Sequence, residues 1–528
     1  MAYFITASGI SIVNLNKPKN SKAMNNHAND TKIIIIGGGF AGLGAGIYLQ
    51  MNGYDTQIFE MHNLPGGLCT SWKRQGYTFD GCIHWLVGSS PESGMHDLWE
   101  ETGIAKDREF INLDQYLRYE GTDGRTIVFY SDIDRLEKHL LEFSPQDEEP
   151  IRDFIKGIRM CLPFDTPSVH DNAFRKLGKQ MKTVSNFIIN GKKMQEWMKI
   201  TAEEFSARFS DPLLKKALVD MWLPEFSMFF MLFTFAYLHN KNAGYPIGGS
   251  RPMSEALEER YKELGGSIHY RKKVIRILTE NDKATGIRLE DGSECRAGRV
   301  ISAADGYTTI FSMLEGRYID QKIQESYDKW PLFPSLLFVS LGINRSFEDV
   351  PKSVSGMIFE LKEPAVIADK ERENLSVHIY NQDPTLAPAG KTTVEIMLDS
   401  DYEYWKSLAS DRKAYDKEKE EAGKKIVELL EQRFPGIADQ VEVIDVATPL
   451  TFERYTGNWK GTFEGWLLTP ENSHVMMKPM SQTLPGIERF YMCGQWVEPG
   501  GGLPTAIMSA KRLVKMICRE DRKKFTAS

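Results

Sequence analysis

Thr31 to Tyr48 reads TKIIIIGGGFAGLGAGIY. Its four consecutive isoleucines, Ile33 to Ile36, form a short β-branched run suited to a parallel strand buried on both faces. Directly after it, Gly37-x-Gly39-x-x-Gly42 makes a dinucleotide fingerprint: one glycine for the tight turn, one for close approach of backbone to a pyrophosphate, one for packing helix on strand. The helix that follows offers an anion its unsatisfied N–H groups and the positive end of its dipole. Asn52-Gly53 then breaks the helix, Thr56 to Phe59 reads as a second strand, and Glu60 ends it where a ribose hydroxyl needs an acceptor. Taken alone, Glu60 is an ordinary solvated loop carboxylate.

The chain has 528 residues, enough for two or three domains with ample core. Charged residues make up 26% and the formal net charge is -7, so the basic footprint of a nucleic-acid binder is missing. Six cysteines, Cys69, Cys82, Cys161, Cys295, Cys493 and Cys518, are scattered without CxxC pairing. That pattern suits a reducing compartment such as the cytoplasm and gives neither a disulfide frame nor a metal site. Residues 1–30 lack the features of a signal peptide and read as a polar, Asn-rich, disordered leader. The longest apolar stretch, Phe226 to Leu238, falls short of the roughly 20 residues that span a bilayer.

Leu64-Pro65-Gly66-Gly67-Leu68-Cys69-Thr70-Ser71 sets paired glycines where a loop can fold back over the diphosphate. With Phe79-Asp80-x-x-x-His84 behind it, the chain resembles the FAD-binding half of the phytoene desaturase, carotenoid isomerase and retinol saturase group, within the wider amine-oxidase-like flavoproteins. In many relatives an arginine follows the paired glycines and touches the diphosphate; here Leu68 stands there. The resemblance puts His84 and Trp85 near the flavin. On chemistry alone His84 reads equally as a core histidine satisfied by a carbonyl.

From Leu98 to Asn240 the pattern turns to amphipathic helices. Asp114 to Tyr130 predicts a hairpin around Thr122-Asp123-Gly124, and Ser144-Pro145-Gln146-Asp147 predicts a helix start. Met221 to Leu238, aromatic and Met-rich, predicts a buried core helix, with a substrate tunnel or a membrane-facing surface as the sharper readings. Tyr245 to Ser250 is a loop into a helix over Pro252 to Leu264. Strands follow at Ser267 to Tyr270, Val274 to Leu278, Gly286 to Leu289 and Arg299 to Ser302, ending in Ala303-Ala304-Asp305. By the resemblance this block returns to the FAD domain, with the adenine near the backbone of Val274. Ser335 to Val446 leaves it again, with four strand-like runs predicting an antiparallel sheet and a charged, solvated helix over Ala414 to Phe434.

Phe490 to Cys493 is then a strand, Gly494 to Leu503 a glycine-rich turn, and Pro504 opens a helix to Ile517. In the family this helix points its positive end at the flavin pyrimidine ring, where reduction accumulates charge.

The fold class expected is therefore α/β: a Rossmann-like FAD-binding domain of GR2 type, parallel sheet plus small antiparallel sheet, with a mixed α+β substrate domain. Residues 31–97, 245–310 and 481–528 form the first, and 98–244 and 311–480 the second. The resemblance carries FAD contacts to Gly37, Gly39, Phe40, Ala41, Gly42, Glu60, Met61, Gly66, Gly67, Leu68, Ser71, His84, Val274, Asp305, Gly494, Gln495, Gly502, Leu503, Pro504 and Thr505. His84, Trp85, Tyr245 and Trp496 are the candidates for the flavin-facing wall. With no Ser/His/Asp order and no metal-ligand cluster, the flavin is expected to carry the redox chemistry. The similarity implies saturation or desaturation of a carbon–carbon bond in a lipophilic polyene, prenyl, retinoid or steroid-like substrate. A redox-neutral cis/trans isomerase on reduced FAD, an amine oxidase and a non-catalytic flavoprotein are the alternatives. No second fingerprint marks a tightly held nicotinamide; transient NAD(P)H donation and peripheral membrane contact stay open, as does the oligomeric state.

Overall fold

The isoleucine run serves two cores at once. In the computed structural model, which describes residues 31–165, 168–476 and 479–527, Lys32–Ile36 is the central strand of a five-stranded parallel sheet. Across the sheet the order is Ser267–His269, Asp55–Phe59, Lys32–Ile36, Arg299–Ser302, Phe490–Met492. Because side chains alternate along a strand, Ile33 and Ile35 join a core with Leu43, Ile47, Ile507 and Leu513. Ile34 and Ile36 join another with Val274, Ile277 and Ile287. The leader expected over residues 1–30 lies outside the described residues.

Helices Phe40–Met51, Ser250–Glu263 and Leu503–Glu520 cover the first face. Two glycines of the first helix permit this: a Cβ on Gly44 would stand 2.8 Å from Ile507 Cδ1, and one on Gly46 2.6 Å from the Tyr261 ring. On the other face lies a three-stranded antiparallel sheet, Val274–Glu280, Lys283–Leu289 and Glu294–Arg296. The α/β architecture expected from the fingerprint is therefore present.

A seven-stranded sheet forms the second body, in the order Val441–Ala447, Leu336–Ile343, Thr392–Asp399, Lys370–Ile379, Met357–Ile367, Gln115–Glu120, Thr126–Tyr130. The last two strands are the hairpin foreseen around Thr122-Asp123-Gly124. The sheet is not wholly antiparallel, since Met357–Ile367 pairs in parallel with Gln115–Glu120. Its two strands there come from distant parts of the chain, so no short turn forces them to run opposite ways.

Met221 to Leu238 is not one helix. Met221 ends the helix Pro212–Asp220, and a new helix, Met228–His239, starts only after Ser227, whose side chain accepts from Phe229 N. Pro224 explains the break, because it has no N–H to give and biases its predecessor away from the α region. Most of the second helix is buried, including Phe229, Leu232 and Phe235, as the core reading expects.

Candidate active site

Gly37 holds φ at +98° and donates its N–H to Phe59 O at 2.9 Å. A Cβ on Gly42 would sit 2.0 Å from Gly37 O, so the turn and the helix meet only if that Cβ is missing. Gly39 differs: among the described residues nothing lies closer than 3.7 Å to where its Cβ would be. It is the N-cap of Phe40–Met51, with no capping side chain and no acid in the first turn, which leaves those N–H groups for an anion.

Glu60 is buried, not solvated. Its carboxylate accepts from Gly38 N at 2.6 Å and His62 N at 2.7 Å; burial still pushes its pKa up, against those bonds. Met61 beside it reaches toward Gly457, where a Cβ would stand 3.3 Å from its sulfur. Val274 is core by its side chain, on the face beneath the isoleucines. Both oxygens of buried Asp305 are taken by backbone donors, Thr308 N at 2.6 Å and Trp459 N at 2.9 Å, and burial raises its pKa to about 6.

The paired-glycine loop does fold back. Gly66 N donates to Gly38 O at 2.9 Å, and a Cβ on Gly67 would stand 3.3 Å from Gly39 Cα. A Cβ on Gly66 would strike Ser254 Oγ and Cys69 O, each at 2.3 Å. Leu68 turns to an apolar cluster with Leu336, Phe338 and Phe463, while buried Ser71 pairs with Asp80 across a short hairpin.

The far end of the chain closes on the same place. A Cβ on Gly494 would stand 3.1 Å from Ala41 Cβ, and its N–H donates to Ser509 Oγ at 3.0 Å. Gln495 Nε2 and Trp496 Nε1 both donate to Asn458 Oδ1, at 3.2 and 3.1 Å. Gly502 caps the helix Leu503–Glu520, in which Pro504 is in the first turn and Thr505 Oγ1 donates back to Gly501 O at 2.6 Å. Glu464 comes to this helix end, accepting from Gly502 N at 3.0 Å; burial lifts its pKa to about 7. Nothing in the FEGW context of Glu464 singles it out.

His84 stacks on His378 with ring centroids 4.5 Å apart, and His378 stacks on Tyr380 at 4.2 Å. Tyr380 lies 6.1 Å from Tyr245, whose hydroxyl donates to Asp383 Oδ2 at 2.9 Å. Desolvation drops the His84 pKa to about 4, so its imidazole is neutral at pH 7. The loop bearing it is pinned by buried Asp80, which accepts from Ser250 N, Ser250 Oγ, Cys82 N and Ile83 N. Both ring nitrogens of His378 are buried without a hydrogen-bond partner among the described residues. His378 and Tyr380 were not apparent in the sequence, because they face His84 only through the pairing of distant strands.

The four wall candidates do not form one cluster. His84 and Tyr245 share the stack through His378 and Tyr380, and Trp85 joins it at its edge, its ring 6.3 Å from that of His84, while also packing on the helical core against Tyr116, 5.9 Å away. Trp496 belongs to a separate aromatic group with Tyr327 and Trp466.

The glycine cradle, its uncapped helix end and the buried acid behind it together suit a dinucleotide cofactor. The chain is 25% identical to a neurosporene-forming phytoene desaturase of Rhodobacter capsulatus, over 92% of this chain and 94% of that one. It is 23% identical to the chloroplastic prolycopene isomerase of Arabidopsis thaliana, over 89% and 80% of the two chains. Among solved structures, an oxidoreductase from Methanosarcina mazei superposes with a TM-score of 0.55 at 18% identity, covering 92% of this chain and all of that one. Cyclohexylamine oxidase from Brevibacterium oxydans gives 0.59 at 13% identity, covering 94% of this chain and all of that one; both likenesses are of fold. Residues 40–518 match the flavin-containing amine oxidoreductase model, and the chain belongs to that family, as an FAD-dependent oxidoreductase.

Proposed function

We propose that this FAD-dependent oxidoreductase saturates or desaturates a carbon–carbon bond of a lipophilic substrate of polyene, prenyl, retinoid or steroid type. The observation that carries this reading is the stacked aromatic wall at His84, whose imidazoles carry no charge. Two stacked imidazoles held neutral by desolvation and the apolar cluster around Leu68 suit a hydrocarbon better than a charged ligand. The names of the desaturase relatives support the same chemistry.

In this reading residues 31–97, 245–310 and 481–528 are the FAD domain, supported by the parallel sheet, whose five strands all fall in those ranges. Gly37, Gly39 and Gly42 would hold the diphosphate on the first helix, Glu60 the ribose, the backbone at Val274 the adenine, and Gly502 to Thr505 the flavin ring. FAD, when bound, accepts or returns a hydride. The chain's own part is to orient the substrate, keep water out through the aromatic wall, and present the helix Leu503–Glu520 to developing negative charge.

A redox-neutral cis/trans isomerase is the second reading, favoured by prolycopene isomerases among the relatives, two of them 26% identical. An anaerobic absorbance titration separates the two. Bleaching of the oxidised-flavin bands by NADPH or NADH is expected of a saturase or of a reduced-flavin isomerase; bleaching by a polyene alone is expected of a desaturase. An isomerase then turns over with no net consumption of acceptor. Flavin that neither NADPH, NADH nor any polyene reduces would overturn the enzyme reading.

A further inference from the structure

The helix Ala173–Met198 packs on the molecule by one face, through Asn186, Met194 and Trp197. The opposite crest carries apolar side chains at alternating steps of three and four residues: Phe174, Leu177, Met181, Val184 and Ile188. All five point into solvent, with Phe174 at 88%, Met181 at 63% and Ile188 at 78% exposure, and Ile189 beside them at 76%. A contiguous apolar ridge of this length on a monomer marks an interaction surface.

Its charge says what the surface meets. Within Ala173–Met198 stand Arg175, Lys176, Lys179, Lys182, Lys192 and Lys193 against one acid, Glu196, in a chain whose formal net charge is -7. Lys179 and Lys193 are ion-paired, to Asp165 and Asp171 and to Asp153 and Glu196; Arg175, Lys182 and Lys192 make no ion pair among the described residues. From the geometry we infer that this helix is a docking surface for an anionic lipid membrane, lying flat with the crest among the acyl chains and the free basic groups at the headgroups. A second copy of the chain fits less well, since a two-fold contact sets the same basic patch against itself. No helix among the described residues is long and apolar enough to cross a bilayer, so the contact is with one leaflet. The surface also moves the membrane-facing role away from Met221 to Leu238, whose helix is largely buried directly behind this one. That buried helix continues inward, Phe230 lying 3.8 Å from where a Cβ on Gly500 would be. The docking inference stands on the helix alone and does not depend on the bond chemistry proposed above.

The test is flotation of the FAD-loaded full chain with vesicles of phosphatidylcholine alone or with phosphatidylserine added. Stronger partition, by about tenfold or more, onto the anionic vesicles is expected, weakening with salt. The triple variant Leu177→Glu, Val184→Glu, Ile188→Glu alters only solvent-facing positions, and unchanged flavin absorbance and circular dichroism would verify its fold. It is expected to lose about tenfold or more of that partition. A wild-type chain that ignores anionic vesicles, or a folded triple variant that floats as well as wild type, overturns the inference. So does a wild-type dimer that the variant disperses in the absence of any vesicle binding, which would assign the ridge to self-association.

Discussion

The carboxyl of Glu464 accepts from the Gly502 amide, 3.0 Å away, at the start of the helix Leu503–Glu520. Burial raises its pKa from an ordinary value near 4.5 to about 7. A carboxyl with a raised folded-state pKa binds its proton more tightly when folded, so its contribution is complete below about pH 4.5 and is lost as pH climbs toward 7. Glu464→Gln should flatten that arm of the stability curve. After discounting the shift for partial exposure, denaturant unfolding at pH 5 and pH 8 is expected to differ by about 1–2 kcal/mol less in the variant than in wild type.

Two glycines of the fingerprint should fail in different ways. Gly42→Ala drives a methyl to 2.0 Å from Gly37 O, so both the fold and the cofactor should suffer, with a stability loss of about 2 kcal/mol or more. Gly39→Ala meets nothing nearer than 3.7 Å among the described residues. Its melting temperature after removal of flavin should stay near that of wild type similarly stripped, while its FAD-to-protein ratio on purification falls. Equal FAD content in Gly39→Ala and wild type would remove the diphosphate from this turn.

His378, between His84 and Tyr380, buries two ring nitrogens that have no hydrogen-bond partner among the described residues. Unmade hydrogen bonds of this kind cost about 1–3 kcal/mol each. His378→Phe keeps a flat ring in the stack and removes both, so it should be neutral or stabilising by about 1 kcal/mol in urea unfolding. A loss of several kcal/mol instead would mean that the imidazole is partnered in solution.

Asp80 gathers four donors in a buried site. Asp80→Asn retains the shape but turns an amide NH₂ toward some of those donors, with an expected loss of about 2–3 kcal/mol. Because the same loop carries His84, a measured shift in the flavin absorbance of this variant would report displacement of the wall.

Local signals made the nucleotide fold legible. The β-branched Ile33 to Ile36, the glycine spacing and Pro504 each act within a few residues, where sequence and geometry are nearly the same thing. The hairpin at Asp123-Gly124 was legible for that reason too. What stayed hidden depends on distant pairing. His378 reaches His84 through the strand partnership of Lys370–Ile379 with Thr392–Asp399, and Glu464 reaches Gly502 across the tertiary fold. The parallel junction at Met357 and Arg118 joins strands that no turn connects. The helix Ala173–Met198 lies in the stretch read as amphipathic helices, but its apolar spacing is the ordinary signature of a buried face, and only the structure shows that face turned outward.

The order of strands in the parallel sheet bears on how the chain is made. Lys32–Ile36 and Arg299–Ser302 pair directly, yet the neighbour that covers the outer edge of Arg299–Ser302 is Phe490–Met492. During synthesis that edge of main-chain groups remains open until the ribosome has released the distant strand and the helix Leu503–Glu520 that packs against the first one. An unpaired edge flanked by apolar side chains is a site of aggregation. The growing chain therefore carries this aggregation-prone edge from the synthesis of Arg299–Ser302 to the arrival of Phe490–Met492.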